Sequence, residues 1–145
     1  MRIEFSPARD SERVEAKTKA KILIAEDEIL IARELEARLK GLGYAVVRIA
    51  LSAEEAIQAT SELQPDLVLM NIVLRGTMDG LTAAEEIRTR FGVPTVYVLA
   101  YADEGILSCA KVTEPYGYIL KPFTESEVHA AVESALDNRQ MERKV

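Results

Sequence analysis

At 145 residues, 48% of them apolar, the chain suits one compact domain, long enough to bury about 70% of the surface that its unfolded form exposes. A net charge of −6 opposes non-specific attraction to nucleic acid or to anionic lipid, and no cluster of Lys and Arg supplies a local exception, so a protein or small-ligand partner is expected. Cys109 and His129 are the only residues of their kinds, which excludes an internal disulfide and a Cys/His zinc cage, and no run approaches the ~18 apolar residues of a membrane span or the core of a signal peptide. The expectation is a soluble, cytoplasmic protein.

Residues 1–19 are polar and read as an extension or linker, with a short helix opened by Ser6-Pro7. From Lys21 onward, short apolar runs alternate with amphipathic stretches, which predicts five βα units and a parallel sheet covered by helices on both faces. The first run, Ile22-Leu23-Ile24-Ala25, feeds a helix with Ile31, Leu35, Leu39 and Leu42 on one stripe, stopped by Gly41 and Gly43. The second, Ala45 to Ile49, precedes the capping box Ser52-x-x-Glu55 and a helix to about Leu63. The third, Leu67 to Met70, ends at Asn71 and enters a loop with Gly76 and Asp79-Gly80 before a helix from about Leu81 to Phe91. The fourth, Thr95 to Leu99, leads to a weak helix over about Glu104 to Val112. The fifth, Tyr118-Ile119-Leu120, reaches Lys121-Pro122-Phe123 and a final helix from about Glu125 to Asn138, opened by Thr124-x-x-Glu127. The predicted domain is therefore 20–138, and 139–145 reads as a short charged tail.

An open parallel sheet gathers its functional residues at the carboxyl ends of its strands. Glu26 and Asp27 follow the first strand, Asn71 ends the third, Leu99 and Ala100 end the fourth, and Lys121 ends the fifth. Two adjacent carboxylates facing a third oxygen donor form a hard-oxygen half-site suited to Mg2+, although most adjacent acidic pairs are solvated surface charges.

Four segments in this order, Ile22 to Glu28, Pro65 to Asn71, Leu99 to Glu104 and Gly117 to Phe123, resemble the signature stretches of the response-regulator receiver (CheY-like) family. The resemblance covers about residues 20–137 and implies a flavodoxin-like (βα)5 doubly wound sandwich. It implies an acidic pair, Glu26 and Asp27, that binds Mg2+ with help from the position-71 side chain and the main-chain carbonyl of Val73. It further implies a phosphoacceptor at position 71, a hydroxyl at position 99 and a lysine at position 121 to hold the phosphoryl group, and a switch aromatic at Tyr118.

Two positions depart from the family pattern. Asn71 stands where the family has the nucleophilic Asp, and an amide whose nitrogen lone pair is delocalised cannot form an acyl phosphate as a carboxylate does. Leu99 stands where the family has Ser or Thr, which removes a donor to the transferring group. One formal charge is lost beside a dication, and even a unit charge pair at ~4 Å is worth about 4 kcal/mol at an effective dielectric of ~20, before solvation offsets it, so a weakened Mg2+ site and a metal-independent fold are expected. Lys121 is expected to pair with Asp27 or Glu26, and Tyr118 to be fixed in one rotamer. His129 and Cys109 are read as ordinary helix residues. The isomer of the Lys121-Pro122 bond is left open.

The leading functional expectation is a pseudoreceiver, a non-enzymatic module of a two-component or phosphorelay system that signals by binding a histidine kinase, a regulator or an output domain, or by forming a homodimer, through the fourth predicted helix, the fifth strand and the final helix. The alternative is an otherwise active receiver of a response regulator or hybrid histidine kinase carrying an inactivating Asp-to-Asn replacement. Leu99 argues against it, since disabling only the nucleophile would leave the neighbouring hydroxyl in place. An enzyme on the same architecture is disfavoured: Glu26-Asp27-Glu28 would repel a phosphate where a nucleotide binder needs main-chain N–H donors. Only a few residues follow 138, so a stand-alone receiver and a module of a larger chain both fit.

Overall fold

The computed structural model describes residues 20–72, 74, 78–100 and 117–144. They form β1 (Lys21–Ala25), α1 (Ile29–Gly41), β2 (Ala45–Ala50), α2 (Ala53–Leu63), β3 (Leu67–Asn71), α3 (Gly80–Phe91), β4 (Thr95–Ala100), β5 (Tyr118–Lys121) and α4 (Glu125–Lys144). The five strands make one parallel sheet in the order β2-β1-β3-β4-β5, the flavodoxin-like arrangement expected from the sequence. The extension 1–19, Val73, Gly76, the predicted fourth helix and Cys109 lie outside the described residues.

Alternation along the strands explains why both faces are covered. Ile22, Ile24, Leu67, Leu69, Val96, Val98 and Ile119 pack with Ala32, Leu35 and Leu39 of α1 and Val128, Val132 and Ala135 of α4. Leu23, Ala25, Val68, Met70, Tyr97 and Leu99 point the other way, onto Ala53, Ala56 and Ala59 of α2 and Ala83, Ala84 and Ile87 of α3. A strand buried on both sides needs an apolar residue at every position, and this is the continuous pattern that marked the strands in the sequence. On α1 the buried stripe is narrower than expected: Leu35 and Leu39 are joined by Ala32, while Ile31 and Leu42 sit half-buried at its margin.

The predicted capping box at Thr124 forms, and the one at Ser52 forms with its return bond shifted to the residue before the cap. Ser52 accepts from the Glu55 amide at 3.1 Å, and Glu55 reaches back to the Leu51 amide at 3.3 Å. Thr124 and Glu127 exchange bonds of 3.2 and 2.9 Å. The final helix is longer than expected, running to Lys144 and not ending near Asn138. Residues 139–144 contain neither Gly nor Pro and are mostly strong helix formers, so nothing local stops it.

The chain direction reverses between β1 and β3: from β1 it passes outward to β2, then crosses back to β3 on the other side. At such a switch point the loops leave in opposite directions and open a crevice above the strand ends. Ala25 pairs with Met70 in that register, which sets Glu26 beside Asn71 at the top of the two central strands.

Candidate functional site

Glu26 is the centre of the crevice. It is fully buried, and its amide donates to the Ala50 carbonyl at 2.9 Å, continuing the β1–β2 ladder one residue past the strand. Its Oε2 accepts from the Asn71 amide nitrogen Nδ2 at 2.9 Å and from the Glu28 main-chain N–H at 3.1 Å. Its Oε1 faces the Lys121 ammonium at 3.1 Å, an ion pair and not an aligned hydrogen bond. The expected partnership of Lys121 with one of the two acidic residues therefore falls on Glu26. Asp27 is half-buried one step further out.

The backbone explains why these side chains meet. Asn71 is the last residue of β3 and pairs with Val98, and Lys121 is the last of β5 and pairs with Ala100. Asn71 is 7% exposed, so its amide is nearly removed from water and needs internal partners. A carboxylate only accepts hydrogen bonds, so the amide must turn its nitrogen toward Glu26. The Lys121-Pro122 bond is cis.

Leu99 is 2% exposed at the end of β4 and packs within the α2/α3 cluster, with Tyr118 and Leu120 against the same cluster. Tyr118 is half-buried, its ring tilted by 41° against Tyr97 with centroids 6.3 Å apart. Burial, and then the neighbouring Tyr97 phenol, push the Tyr118 hydroxyl pKa upward. Sequence reasoning missed Tyr97, because its meeting with Tyr118 depends on the register between β4 and β5, which no local pattern encodes.

A second polar contact was also missed. Tyr44, just before β2 and almost fully buried, donates its hydroxyl to Glu133 of α4, and His129 lies on the same side with its ring centroid 6.4 Å from that of Tyr44. Burial above all, then the hydrogen bond and charge of Glu133 and the charge of Asp137, hold the Tyr44 pKa well above the ordinary phenol value. The folded state thus keeps a proton that the unfolded chain releases, so the Tyr44 contribution is complete below about pH 10 and is lost as pH rises beyond it. Urea unfolding at a series of pH values should show parent stability falling above about pH 10, with Tyr44→Phe falling less steeply. Superimposable slopes would remove Tyr44 from the account, while a remaining slope in the variant is expected from Tyr118.

Comparison with known proteins agrees with this fold. Residues 22–133 match the response regulator receiver domain. The chain belongs to that family. This receiver domain is 34% identical over 148 residues to the phyllosphere-induced regulator PhyR of Methylorubrum extorquens, covering 98% of the chain and 55% of PhyR. It is 33% identical over 122 residues to the transcriptional regulatory protein PdtaR of Mycobacterium tuberculosis, covering 84% of the chain and 59% of PdtaR. The chain thus spans less than two thirds of either relative. Among solved structures, the signal receiver domain of a modulated diguanylate cyclase from Desulfovibrio desulfuricans superposes with a TM-score of 0.80 at 31% identity, over 86% of this chain and 98% of that one. Among the described residues no helix is long and apolar enough to cross a membrane.

Proposed function

We propose that this receiver domain is a pseudoreceiver: it is not phosphorylated at position 71 and signals through protein binding that needs no phosphoryl transfer. The observation that carries the reading is the amide of Asn71, buried at the end of β3 and donating to Glu26 where the family resemblance calls for a nucleophilic carboxylate. The lone pair of an amide nitrogen is delocalised into its carbonyl, so Asn71 has no electron pair to offer phosphorus. Leu99 strengthens the reading, because a buried branched alkyl group at the end of β4 offers no hydrogen bond to a transferring phosphoryl group. In this reading the packed Leu99 also holds Tyr118 in one position, so the aromatic is a fixed part of the surface. Binding a histidine kinase, a regulator or an output domain, or a second copy of the chain, would then use the region of β5, α4 and residues 104–112.

Intact-mass measurement after incubation with acetyl phosphate and Mg2+ tests this. The parent should gain no phosphoryl adduct, Asn71→Asp should gain some, and Asn71→Asp with Leu99→Thr should gain more and hold it longer. An adduct on the parent would refute the proposal and send the search to another acceptor, such as Asp27.

A further inference from the structure

Two carboxylates side by side at the ends of β1 and β3 would repel each other and would need a shared cation to sit comfortably. An amide and a carboxylate need none. Asn71 and Glu26 are joined directly at 2.9 Å, and that bond uses the Oε2 lone pairs together with the Glu28 N–H at 3.1 Å. The other oxygen, Oε1, faces the Lys121 ammonium at 3.1 Å. Because Nδ2 faces Glu26, an ion held jointly by the Asn71 carbonyl oxygen and Glu26 Oε2 would have to take the place of that bond. Among the described residues, no group of three or more His, Cys, Asp or Glu side chains is placed to hold a metal. Glu26 and Asn71 thus already hold each other, and Glu26 holds Lys121 besides, so as they stand these side chains do not fit the divalent ion that the family resemblance implies.

We infer that the Asn71 amide and the Lys121 ammonium together replace the divalent cation at this site, closing the crevice into a charge-compensated Lys121–Glu26–Asn71 strut that excludes Mg2+. The replacement is chemical as well as steric. Lys121 supplies the positive charge, the Asn71 amide supplies the directional contact, and both arrive with the fold. A divalent ion entering here would have to displace the ammonium, break the hydrogen bond from Asn71 to Glu26 and turn the Asn71 side chain over, in return for one fewer negative ligand than a carboxylate at 71 would give. Exclusion of the ion is independent of whether the chain can accept a phosphoryl group, so the two readings can fail separately.

The test uses Mn2+ as a spectroscopic stand-in for Mg2+. The free-ion electron paramagnetic resonance signal is followed as the parent or Asn71→Asp is added, and thermal unfolding is run in MgCl2 against NaCl of equal ionic strength. The parent should leave the Mn2+ signal unchanged, and its unfolding temperature should rise no more in MgCl2 than in NaCl. Asn71→Asp should remove much of the signal, bind at least about tenfold more tightly than the parent, and gain several degrees in Mg2+. A parent that binds Mn2+ as tightly as the variant overturns the strut, whatever acetyl phosphate does. A variant as silent as the parent also overturns it, because the amide would then not be what closes the site. An acetyl phosphate adduct on a parent that ignores Mn2+ would refute the pseudoreceiver and leave the strut standing.

Discussion

Replacing Lys121 with Met should cost about 3 kcal/mol of unfolding free energy, toward the lower end of what breaking a buried ion pair costs. The Glu26 side chain is 1% exposed and that of Lys121 18% exposed, so the carboxylate depends on its neighbours while the ammonium keeps some contact with water, which moderates the loss. After the change, Asn71 and the Glu28 N–H still donate to Oε2, but Oε1 is left facing a methyl group. A charge removed from water without its counter-charge is the expensive case; two neutral groups in the same places are not. Adding Glu26→Gln to Lys121→Met should therefore recover more than half of the loss. Urea unfolding of the parent, the two single variants and the double variant closes the cycle. If Lys121→Met costs less than about 1 kcal/mol, the pair is behaving as a surface salt bridge and the strut has little structural weight.

A change of one hydrogen to one methyl, Gly80→Ala, should cost about 2 to 3 kcal/mol, at the upper end for overpacking. Gly80 is the first residue of α3, and its amide donates to the Ile72 carbonyl at 2.8 Å. A Cβ at this position would come within 2.3 Å of the Asn71 carbonyl oxygen and 2.7 Å of the Ile72 Cα. These are backbone atoms at the end of a central strand, so no side chain can swing away to make room. The relief has to come from moving α3 or the end of β3, and the second route shifts Asn71 itself. A contrast is available at Gly92, whose φ of +67° is left-handed but whose Cβ would meet nothing within 4 Å. Gly92→Asn should be nearly neutral, since Asn tolerates that conformation. If urea unfolding gave the two substitutions equal costs, the close approach at Gly80 would not be the deciding contact.

How much of this was legible from residues alone depended on whether the signal was local. The strands were legible because a strand covered on both faces is apolar throughout, as Leu67 to Met70 is. Both capping boxes were legible because a Ser or Thr followed three residues later by Glu is a contact within one turn. At Gly80 the sequence signals only a turn. Its actual constraint, close approach to the backbone of Asn71 and Ile72, is tertiary and leaves no mark in the sequence around it. The Tyr97–Tyr118 pair and the Tyr44–Glu133 bond were invisible for the same reason, each joining elements through a register or helix placement set by the whole sheet. Within the candidate site, the sequence narrows the partner of Lys121 to Glu26 or Asp27. The choice between them fell to Glu26 because its amide extends the ladder to Ala50 and turns its side chain inward.

The strand order gives the Lys121–Glu26 contact a further consequence for local opening. β5 is an edge strand, and two strands, β3 and β4, stand between it and β1; at the usual spacing that is a span of about 14 Å. Edge strands are ordinarily the first part of a sheet to fray, exchanging their amide hydrogens through small openings that leave the centre intact. Here, peeling β5 away draws the ammonium from a carboxylate rooted beside the innermost strand, so the margin cannot loosen without disturbing the middle. The amides of Ile119 and Leu120 should accordingly exchange with protection closer to that of β1 than a four-residue border strand would otherwise reach, and the sheet should open as one cooperative unit from its rim to its centre.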